Sequence, residues 1–229
     1  TNYSLYLFFT MNTNYELLIQ KLDGFIRKFY LNKLLRGSLL FVGLLFGFYL
    51  FISLFEYQLY FSSVVRKFLL FGFIGTSVTA LVFLVAQPLV HYLKLGQQIS
   101  HEQAATIIGK HFSDVKDKLL NILQLKQQSQ NAYNKELIEA SIHQKTESIK
   151  LVPFSNAINL NENRKYLKYA LPPLFVLLFL LIAAPNVLKE SSTRLLNPNK
   201  TFAKKAPFDF VLENKNLKML QYEDIEIKL

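Results

Sequence analysis

The sequence has no cysteine, no tryptophan and few charged side chains. Without cysteine the chain cannot form a disulfide, a thiolate zinc site or a cysteine nucleophile. Charged residues make up 18% of the chain, whereas soluble domains average about 25%. Acidic residues are especially scarce, because 16 Asp and Glu against 26 Lys and Arg leave a net charge of +10. In contrast, 51% of the residues are hydrophobic, which excludes a disordered chain.

Three long uncharged segments contain much of this hydrophobic content. Residues 37–55, 68–90 and 169–188 comprise 19, 23 and 20 residues without a charge. A helix crosses a hydrocarbon core of about 30 Å with about 20 apolar residues. Buried helices of soluble proteins are usually shorter and carry polar residues along one side. We therefore predict three transmembrane helices.

Basic residues are unevenly distributed around these segments. Five precede the first one: Lys21, Arg27, Lys28, Lys33 and Arg36. Eleven Lys and Arg lie in residues 91–168, whereas the 56–67 loop holds two. The positive-inside rule then predicts that the N-terminus and the 91–168 domain are cytoplasmic. The 56–67 loop and residues 189–229 are expected on the outer side, and the anionic inner leaflet is the expected lipid partner.

Residues 14–36 repeat apolar side chains with the period of an amphipathic helix. Leu18 and Phe25 share the apolar face, and Lys21, Arg27 and Lys28 occupy the other face. The remaining two of the five basic residues follow toward the first span. This pattern predicts a helix that lies in the inner membrane interface, with its basic side chains toward lipid. The alternative is a helix docked on the cytoplasmic domain. Residues 1–13 are expected to be a disordered or non-native leader, with Met11 as the native start.

Small residues recur at four-residue intervals in the first two spans. They are Gly43 and Gly47 in the first, and Gly72, Thr76 and Ala80 in the second. Such rows let helix backbones approach closely, and we predict that they pack the two spans as a hairpin. A dimer interface, and hence a homo-oligomer, is the alternative. The middle of each span has no charge, which argues against ion transport by this chain alone.

The 91–168 segment has the start signals of several short helices. Ser100 begins a capping box, and a second helix follows Ser113. A third helix is predicted over about 135–149, after a polar linker at 127–131. A domain this small is marginal alone, so contact with the membrane or a protein partner is expected to complete it.

The sequence contains no recognisable motif for catalysis, metal binding or a cofactor. Gly109-Lys110 lacks the other residues of a P-loop, and His101-Glu102 lacks the second histidine of a zinc protease. The four histidines are scattered along the chain: His91, His101, His111 and His143. We therefore predict no catalytic residue, metal ligand or cofactor. Nucleic acid is not an expected partner either, because no basic patch with interleaved aromatic residues is present.

Residues 189–229 differ in pattern from the rest of the chain. A turn signal at 197–199 is followed by alternating segments at 208–212, 217–220 and 225–229. These predict a periplasmic linker and the first strands of an immunoglobulin-like β-sandwich. Three strands without a partner sheet would expose an apolar face. We therefore expect the sequence to be the N-terminal part of a longer protein.

Several segments resemble one bacterial family. They are residues 14–18, 22–26, 99–102, 108–112, 115–121, 206–210 and 223–224. Together they are similar to the N-terminus of large multi-pass inner-membrane proteins of Bacteroidota, a family of unknown function whose members often carry the label "ATPase". The resemblance implies an inner-membrane location and a long periplasmic region that begins with immunoglobulin-like domains. It implies no site residues, because that family has no established active site.

The combined expectation is a mainly α membrane protein. It would have three transmembrane helices, a helical cytoplasmic insert and the start of a β-sandwich. The leading functional hypothesis is a non-enzymatic inner-membrane scaffold, a subunit of an envelope assembly with protein partners on one or both faces. The alternatives are a transmembrane signal transducer and an enzyme whose site lies beyond Leu229.

Overall fold

The computed structural model describes residues 2–129 and 135–202, with side chains from residue 14 onward. Within these residues the chain is helical and has no β-strand. The α-helices are, in order, α1 (Asn2–Leu59), α2 (Ser63–Leu81), α3 (Gln87–Tyr92), α4 (His101–Gly109), α5 (Ser113–Ser129), α6 (Lys135–Ile149), α7 (Arg164–Ala183) and α8 (Pro185–Leu196). A π-helical turn, Val82–Ala86, joins α2 to α3, and two 3₁₀ turns, Phe154–Ala157 and Leu160–Asn163, precede α7.

Three helical stretches are long and apolar enough to cross a membrane. They lie within Asn14–Leu59, Ser63–Tyr92 and Phe154–Ala183. The prediction of three helices with the length and hydropathy of membrane spans is thus confirmed. Many of their large apolar side chains point away from the protein, among them Phe68 and Ile182. Such exposure is typical of helices that face lipid rather than water.

Helix α1 combines three segments that the sequence pattern treats separately. Its 58 residues include the backbone of residues 2–13, which was expected to be a disordered or non-native leader. It continues without a break through residues 14–36 and 37–55. At about 1.5 Å per residue such a helix is about 87 Å long, far more than a hydrocarbon core of about 30 Å. A large part of α1 therefore extends beyond any bilayer it crosses.

The N-terminal half of α1 belongs to the core of the helical domain. Leu22 and Phe25 are fully buried there, together with Ile108 of α4, Leu119 of α5 and Ile149 of α6. The apolar face that was predicted to lie in the membrane interface is thus covered by protein, as in the docked alternative. The physical reason is size, because three short helices bury too little apolar surface alone and α1 supplies the fourth.

The start and end signals of the insert are mostly reproduced. The capping box at Ser100 is confirmed. The Ser100 hydroxyl accepts from the backbone N–H of Gln103, and the side-chain oxygen of Gln103 accepts from the backbone N–H of Ser100. The helix predicted over about 135–149 is confirmed as α6. The polar linker predicted at 127–131 begins too early, because α5 continues through Ser129. The rest of that linker, residues 130–131, lies outside the described residues.

The second span contains a π-helical turn where α1 crosses it. Pro88 has no N–H to donate to the carbonyl of Leu84, four residues earlier, and the regular α-helix is interrupted at Val82–Ala86. The carbonyl oxygen of Leu84 lies against Gly37 of α1, where an added Cβ would overlap it. The missing side chain of Gly37 therefore permits the contact between the two helices.

The third span contains two prolines in its interior. The uncharged segment predicted as the third span starts at residue 169, which would place Pro172 and Pro173 in the first turn of its helix. In the structure α7 begins earlier, at Arg164, so both prolines lie inside the helix. Pro173 cannot donate to the carbonyl of Tyr169, and that carbonyl lies beside Gly43 of α1. Prolines are tolerated in membrane helices when a neighbouring helix shields the freed backbone group. Here α1 packs against it.

Beyond the third span the chain remains helical over a region predicted as a linker. Helix α8 begins at Pro185 and ends at Leu196, and it packs on α1, α2 and α7. The turn predicted at 197–199 follows it, and Lys200 N–H donates to Asn197 O. The strands predicted at 208–212, 217–220 and 225–229 lie outside the described residues.

Candidate functional site

The small residues predicted to pack the first two spans have different neighbours. An ideal Cβ at Gly43 would lie 2.5 Å from the carbonyl oxygen of Tyr169, and one at Gly47 would lie 3.8 Å from Pro173. Both glycines therefore face the third span instead of the second. On α2, Gly72 has no other atom within 4 Å of such a Cβ. Its row partners Thr76 and Ala80, with Gly75, Thr79 and Phe83, border an open groove.

Three of the five basic residues predicted to face lipid contact protein instead. The ammonium groups of Lys21 and Lys28 donate to the backbone carbonyls of Lys150 and Ser155, respectively. Arg27 donates to the hydroxyl of Tyr92 over 3.2 Å and lies over its ring. These contacts join α1 to the segment after α6 and to the end of α3. They explain why this part of α1 is held in the helical domain.

The other two basic residues, Lys33 and Arg36, lie further toward the C-terminus of α1, directly before the first span. The Lys33 ammonium is 4.9 Å from the centre of the Phe29 ring, and the Arg36 guanidinium is 4.9 Å from that of Tyr166. Neither has an ion-pair partner among the described residues. Their charges are therefore neutralised by no nearby carboxylate.

A charged cluster joins α1 to the start of the insert. Nε2 of His101 donates to Oδ1 of Asp23 over 3.0 Å, and Nζ of Lys94 is 3.6 Å from Oδ2 of the same carboxylate. The hydrogen bond from His101, and secondarily the charge of Lys94, hold the pKa of Asp23 below its usual value, against the opposing effect of partial burial. Asp23 lies outside the membrane-spanning residues 37–55. This cluster fixes α4 to α1.

The far end of the bundle contains a buried ion pair. Oε1 of Glu56, at the end of α1, accepts from Nε of Arg66 in α2 over 2.9 Å, and the two side chains are 0% and 3% exposed. The second carboxylate oxygen accepts from the backbone N–H of Phe61 over 3.2 Å. Both oxygens of Glu56 thus have partners. The pair closes the tight turn between the first two spans.

Helix α8 adds a second arginine to this end of the bundle. Arg194 is 3% exposed, donates to Glu190 over 3.3 Å and reaches the backbone carbonyl of Glu56 at 3.5 Å. Its guanidinium is 4.0 Å from the centre of the Tyr60 ring. We call Glu56, Arg66, Glu190 and Arg194 the distal polar cluster. It contains two positive and two negative side chains, so its formal charge is balanced.

The distal polar cluster also holds the chain that leaves α8. Nη1 of Arg66 donates to the carbonyl of Lys200 over 3.0 Å, and its guanidinium lies 5.0 Å from the ring centre of Phe202. The Ser63 hydroxyl donates to the carbonyl of Pro198 over 2.6 Å. Segment 197–202 is therefore fixed to the first turn of α2. Residue 202 therefore lies at this end of the bundle.

This arrangement is suited to holding helices together. Glu56 is fully hydrogen-bonded and paired, so it is a poor general base. Within the described residues no group of three or more His, Asp or Glu side chains could hold a metal ion. The Ser53 hydroxyl, one turn before Glu56, is buried without a partner in the part of the chain that the structure describes.

The distal polar cluster was not predicted from the sequence, although one signal for it was present. Glu56 is the only acidic residue between Asp23 and Glu102, and it directly follows an uncharged span. An isolated acid at a membrane boundary indicates a basic partner. Arg66 was assigned only to the outer loop. The participation of Arg194 had no local signal, because it depends on α8 folding back onto α1.

Comparisons of the chain with protein-family models, with curated proteins and with solved structures gave no match.

Proposed function

We propose that this chain is an inner-membrane scaffold that links a cytoplasmic helical domain to domains on the periplasmic side. The leading observation is the continuity of α1. Its N-terminal half completes the core of the helical domain, and its C-terminal end carries Glu56 of the distal polar cluster. One helix thus takes part in the packing at both ends of the molecule.

Hydrogen bonds, in addition to apolar packing, hold α1 against the helical domain. Asn14 donates to Glu147 of α6 over 2.8 Å, and Asn163, just before α7, donates to Asn32 over 2.6 Å. Polar contacts therefore flank the apolar core of this domain. A load applied to the helical domain would be transmitted along α1 instead of being absorbed by a flexible joint.

The proposed orientation follows from charge. The N-terminal half of α1 and the insert carry most of the Lys and Arg. Under the positive-inside rule this distribution supports a cytoplasmic location for both. The distal polar cluster and segment 197–202 are then periplasmic. In this orientation the immunoglobulin-like domains implied by the family resemblance would follow from the distal end. The lack of cysteine makes single-cysteine labelling a direct test of orientation.

The insert also presents apolar side chains that fit a protein partner. Leu137, in the first turn of α6, is 72% exposed. Leu151, two residues after the end of α6, is 94% exposed. Both belong to the helical domain, so a bilayer does not account for their exposure. A cytoplasmic protein with an apolar patch is the proposed partner of this surface.

Site-specific photocrosslinking in native membranes tests the scaffold. A photoreactive residue at Leu137 or Leu151 should give one discrete protein adduct, and the matched position Lys118, exposed on the charged side of α5, should give none. A third probe at Leu196, 71% exposed at the distal end, should give an adduct with a periplasmic protein. Absence of adducts from all three apolar positions would contradict the scaffold.

A signal transducer remains the second candidate. The observation that favours it is the contact of segment 197–202 with Arg66, which would pass a displacement of the following domain to α2 and α1. If this candidate is right, the yield of crosslinked adduct at Leu151 should change when a ligand binds on the periplasmic side. An enzyme whose site lies beyond Leu229 stays a prediction.

A further inference from the structure

We propose that the cavity between α1 and α3, next to the helical domain, binds the headgroup of an anionic phospholipid. The proposal rests on the membrane orientation proposed above, which places this cavity at the inner leaflet. It goes beyond a general attraction of basic residues to the membrane, because it assigns one bound lipid to one place in the fold.

The cavity has a polar end and an apolar end. It has a volume of about 350 Å³ and is open on one side. The polar end is formed by Tyr30, Lys33, Arg36, Gln87 and His91. The apolar end is formed by Leu40, Phe83 and Leu84. A phospholipid has the same division, with a charged phosphate next to acyl chains.

The charge of the cavity is positive and uncompensated. Lys33 and Arg36 both line it, and none of the residues that line it is Asp or Glu. Each cation lies over an aromatic ring. Neither has an ion-pair partner among the described residues, so their N–H groups are available to an anion. A phosphate is the anion that such a Lys and Arg pair binds best, because arginine donates two parallel hydrogen bonds and lysine adds a point charge.

Two further side chains offer donors to a phosphate. The ring of His91 is stacked on that of Tyr30, with centroids 5.0 Å apart, and Tyr30 is held by the backbone N–H of Ile99, which donates to its hydroxyl over 3.1 Å. The side chain of Gln87 makes no hydrogen bond within the described residues. The polar end of the cavity is thus built by packed rings rather than by mobile surface side chains alone.

The apolar end favours a lipid over a free anion. Phe83 is 64% exposed and Leu40 lies on the first span, so both would border acyl chains in a bilayer. A soluble phosphate has no apolar group that could contact this surface. Basic pockets between membrane helices on the cytoplasmic side are a recurrent form of anionic lipid site.

The cavity is formed by the interruption of the second span. The π-helical turn Val82–Ala86 supplies Phe83 and Leu84, and Pro88 starts the helix that carries His91. Gly37 lets α1 approach this turn closely and lines the cavity. π-Helical turns are frequent at functional sites. The site therefore exists before any lipid arrives.

Native mass spectrometry of the full chain in detergent tests the proposal. The protein is titrated with phosphatidylglycerol and, separately, with phosphatidylcholine. One phosphatidylglycerol should be retained in preference to phosphatidylcholine. The double substitution Lys33→Gln/Arg36→Gln removes two charges worth about 1 kcal/mol each and should weaken phosphatidylglycerol binding by about 30-fold.

A matched double variant separates a built site from surface charge. Lys165→Gln/Lys168→Gln removes two charges from the cytoplasmic end of α7, where each lysine also lies over a tyrosine ring. This control should bind within about twofold of the unsubstituted chain, well below the effect of two charges. Equal losses in the two double variants would overturn the proposal, since they would show a nonspecific attraction.

Two further experiments distinguish binding in the cavity from attraction by surface charge and from binding of a soluble anion. Gln87→Trp leaves the charge unchanged but fills the cavity, and it should also lose the bound lipid while circular dichroism shows unchanged helix content. Retention by this variant would overturn the proposal. Displacement of the lipid by inorganic phosphate would also overturn it in favour of a soluble anion. Lipid retention in detergent depends on neither orientation nor protein partners, so failure of the scaffold proposal leaves this result interpretable.

Discussion

Gly43 of α1 lies against the carbonyl oxygen of Tyr169, the backbone acceptor that Pro173 leaves without its α-helical donor. The same relationship recurs between Gly37 and Leu84, since Pro88 follows Leu84 by four residues. In both cases a glycine of the first span meets a carbonyl that a proline has freed in another span. A Cα–H group so close to a carbonyl contributes about 0.5–1 kcal/mol, and it replaces part of the lost helical bond.

Substitution of these glycines by alanine should destabilise the bundle. Gly37→Ala and Gly43→Ala each place a Cβ where a backbone carbonyl already lies, and overpacking of this kind costs about 1–3 kcal/mol. Thermal unfolding in detergent, followed by circular dichroism, measures the effect. Gly24→Ala is the control, because nothing lies within 4 Å of its added Cβ and alanine favours a helix by about 0.5–1 kcal/mol. Equal effects at Gly24 and Gly43 would contradict the close approach.

The buried ion pair should show strong coupling in a double-mutant cycle. Either Glu56→Leu or Arg66→Leu leaves its partner charged and buried, which costs about 3–5 kcal/mol. The double variant should recover much of that loss, because no charge then remains unpaired. Denaturant unfolding of the full chain gives the four free energies. Lys67→Leu, next to Arg66 but exposed, should change the unfolding free energy little, and additive single effects would show that the two charges do not interact.

Removal of an α1 side chain should unfold part of the insert. Leu22 is fully buried among α4, α5 and α6 side chains, and Leu→Ala at such a position costs about 2–5 kcal/mol. Hydrogen exchange in α5 should therefore accelerate in Leu22→Ala. The control Leu17→Ala lies one turn earlier on an exposed face of α1. Unchanged exchange in α5 for both variants would place α1 outside the domain core.

The cluster around Asp23 predicts a pH dependence of stability. The pKa of Asp23 is lowered in the folded state by the hydrogen bond from His101. Its contribution is therefore complete above the unfolded pKa and is lost as the pH falls through the folded value. Because both side chains are more than a third exposed, the contribution is small, about 0.2–1 kcal/mol. Asp23→Asn should lower thermal stability at pH 7 but lose that difference in strong acid.

A stability difference between Asp23→Asn and the unsubstituted chain that persists at low pH would indicate a packing effect of the substitution. Glu16→Gln serves as the control, since Glu16 is an exposed acid on the same helix with no ion-pair partner among the described residues.

The membrane helices were predictable from the sequence because their signal is local. An uncharged run of about 20 residues has few alternatives to a span, and the capping box at Ser100 needs only residues 100–103. The continuity of α1 was harder to predict from the sequence. The basic face of residues 14–36 is equally suited to lipid and to the carbonyls of Lys150 and Ser155, and the choice depends on how the insert folds.

Contacts between distant segments account for the remaining differences. The pairing of Gly43 with the third span, instead of the second, depends on where Pro173 lies in α7. Arg194 enters the distal polar cluster only because Pro185 starts a new helix that returns to α1. Pro88 was a readable signal for the interrupted second span, since proline cannot donate to the residue four positions earlier.

Whether α1 runs unbroken from the helical domain to the distal polar cluster can be measured by pulsed electron paramagnetic resonance. The chain has no cysteine, so Gln20→Cys/Gln58→Cys, both exposed on α1, provide the only two label sites. At about 1.5 Å per residue a continuous helix in membranes separates them by about 57 Å, with a narrow distribution. If instead residues 14–36 lie in the interface, at a right angle to a span that begins at residue 37, the two labels are about 41 Å apart. The shorter or a broad distribution would contradict the proposed rigid link between the two ends.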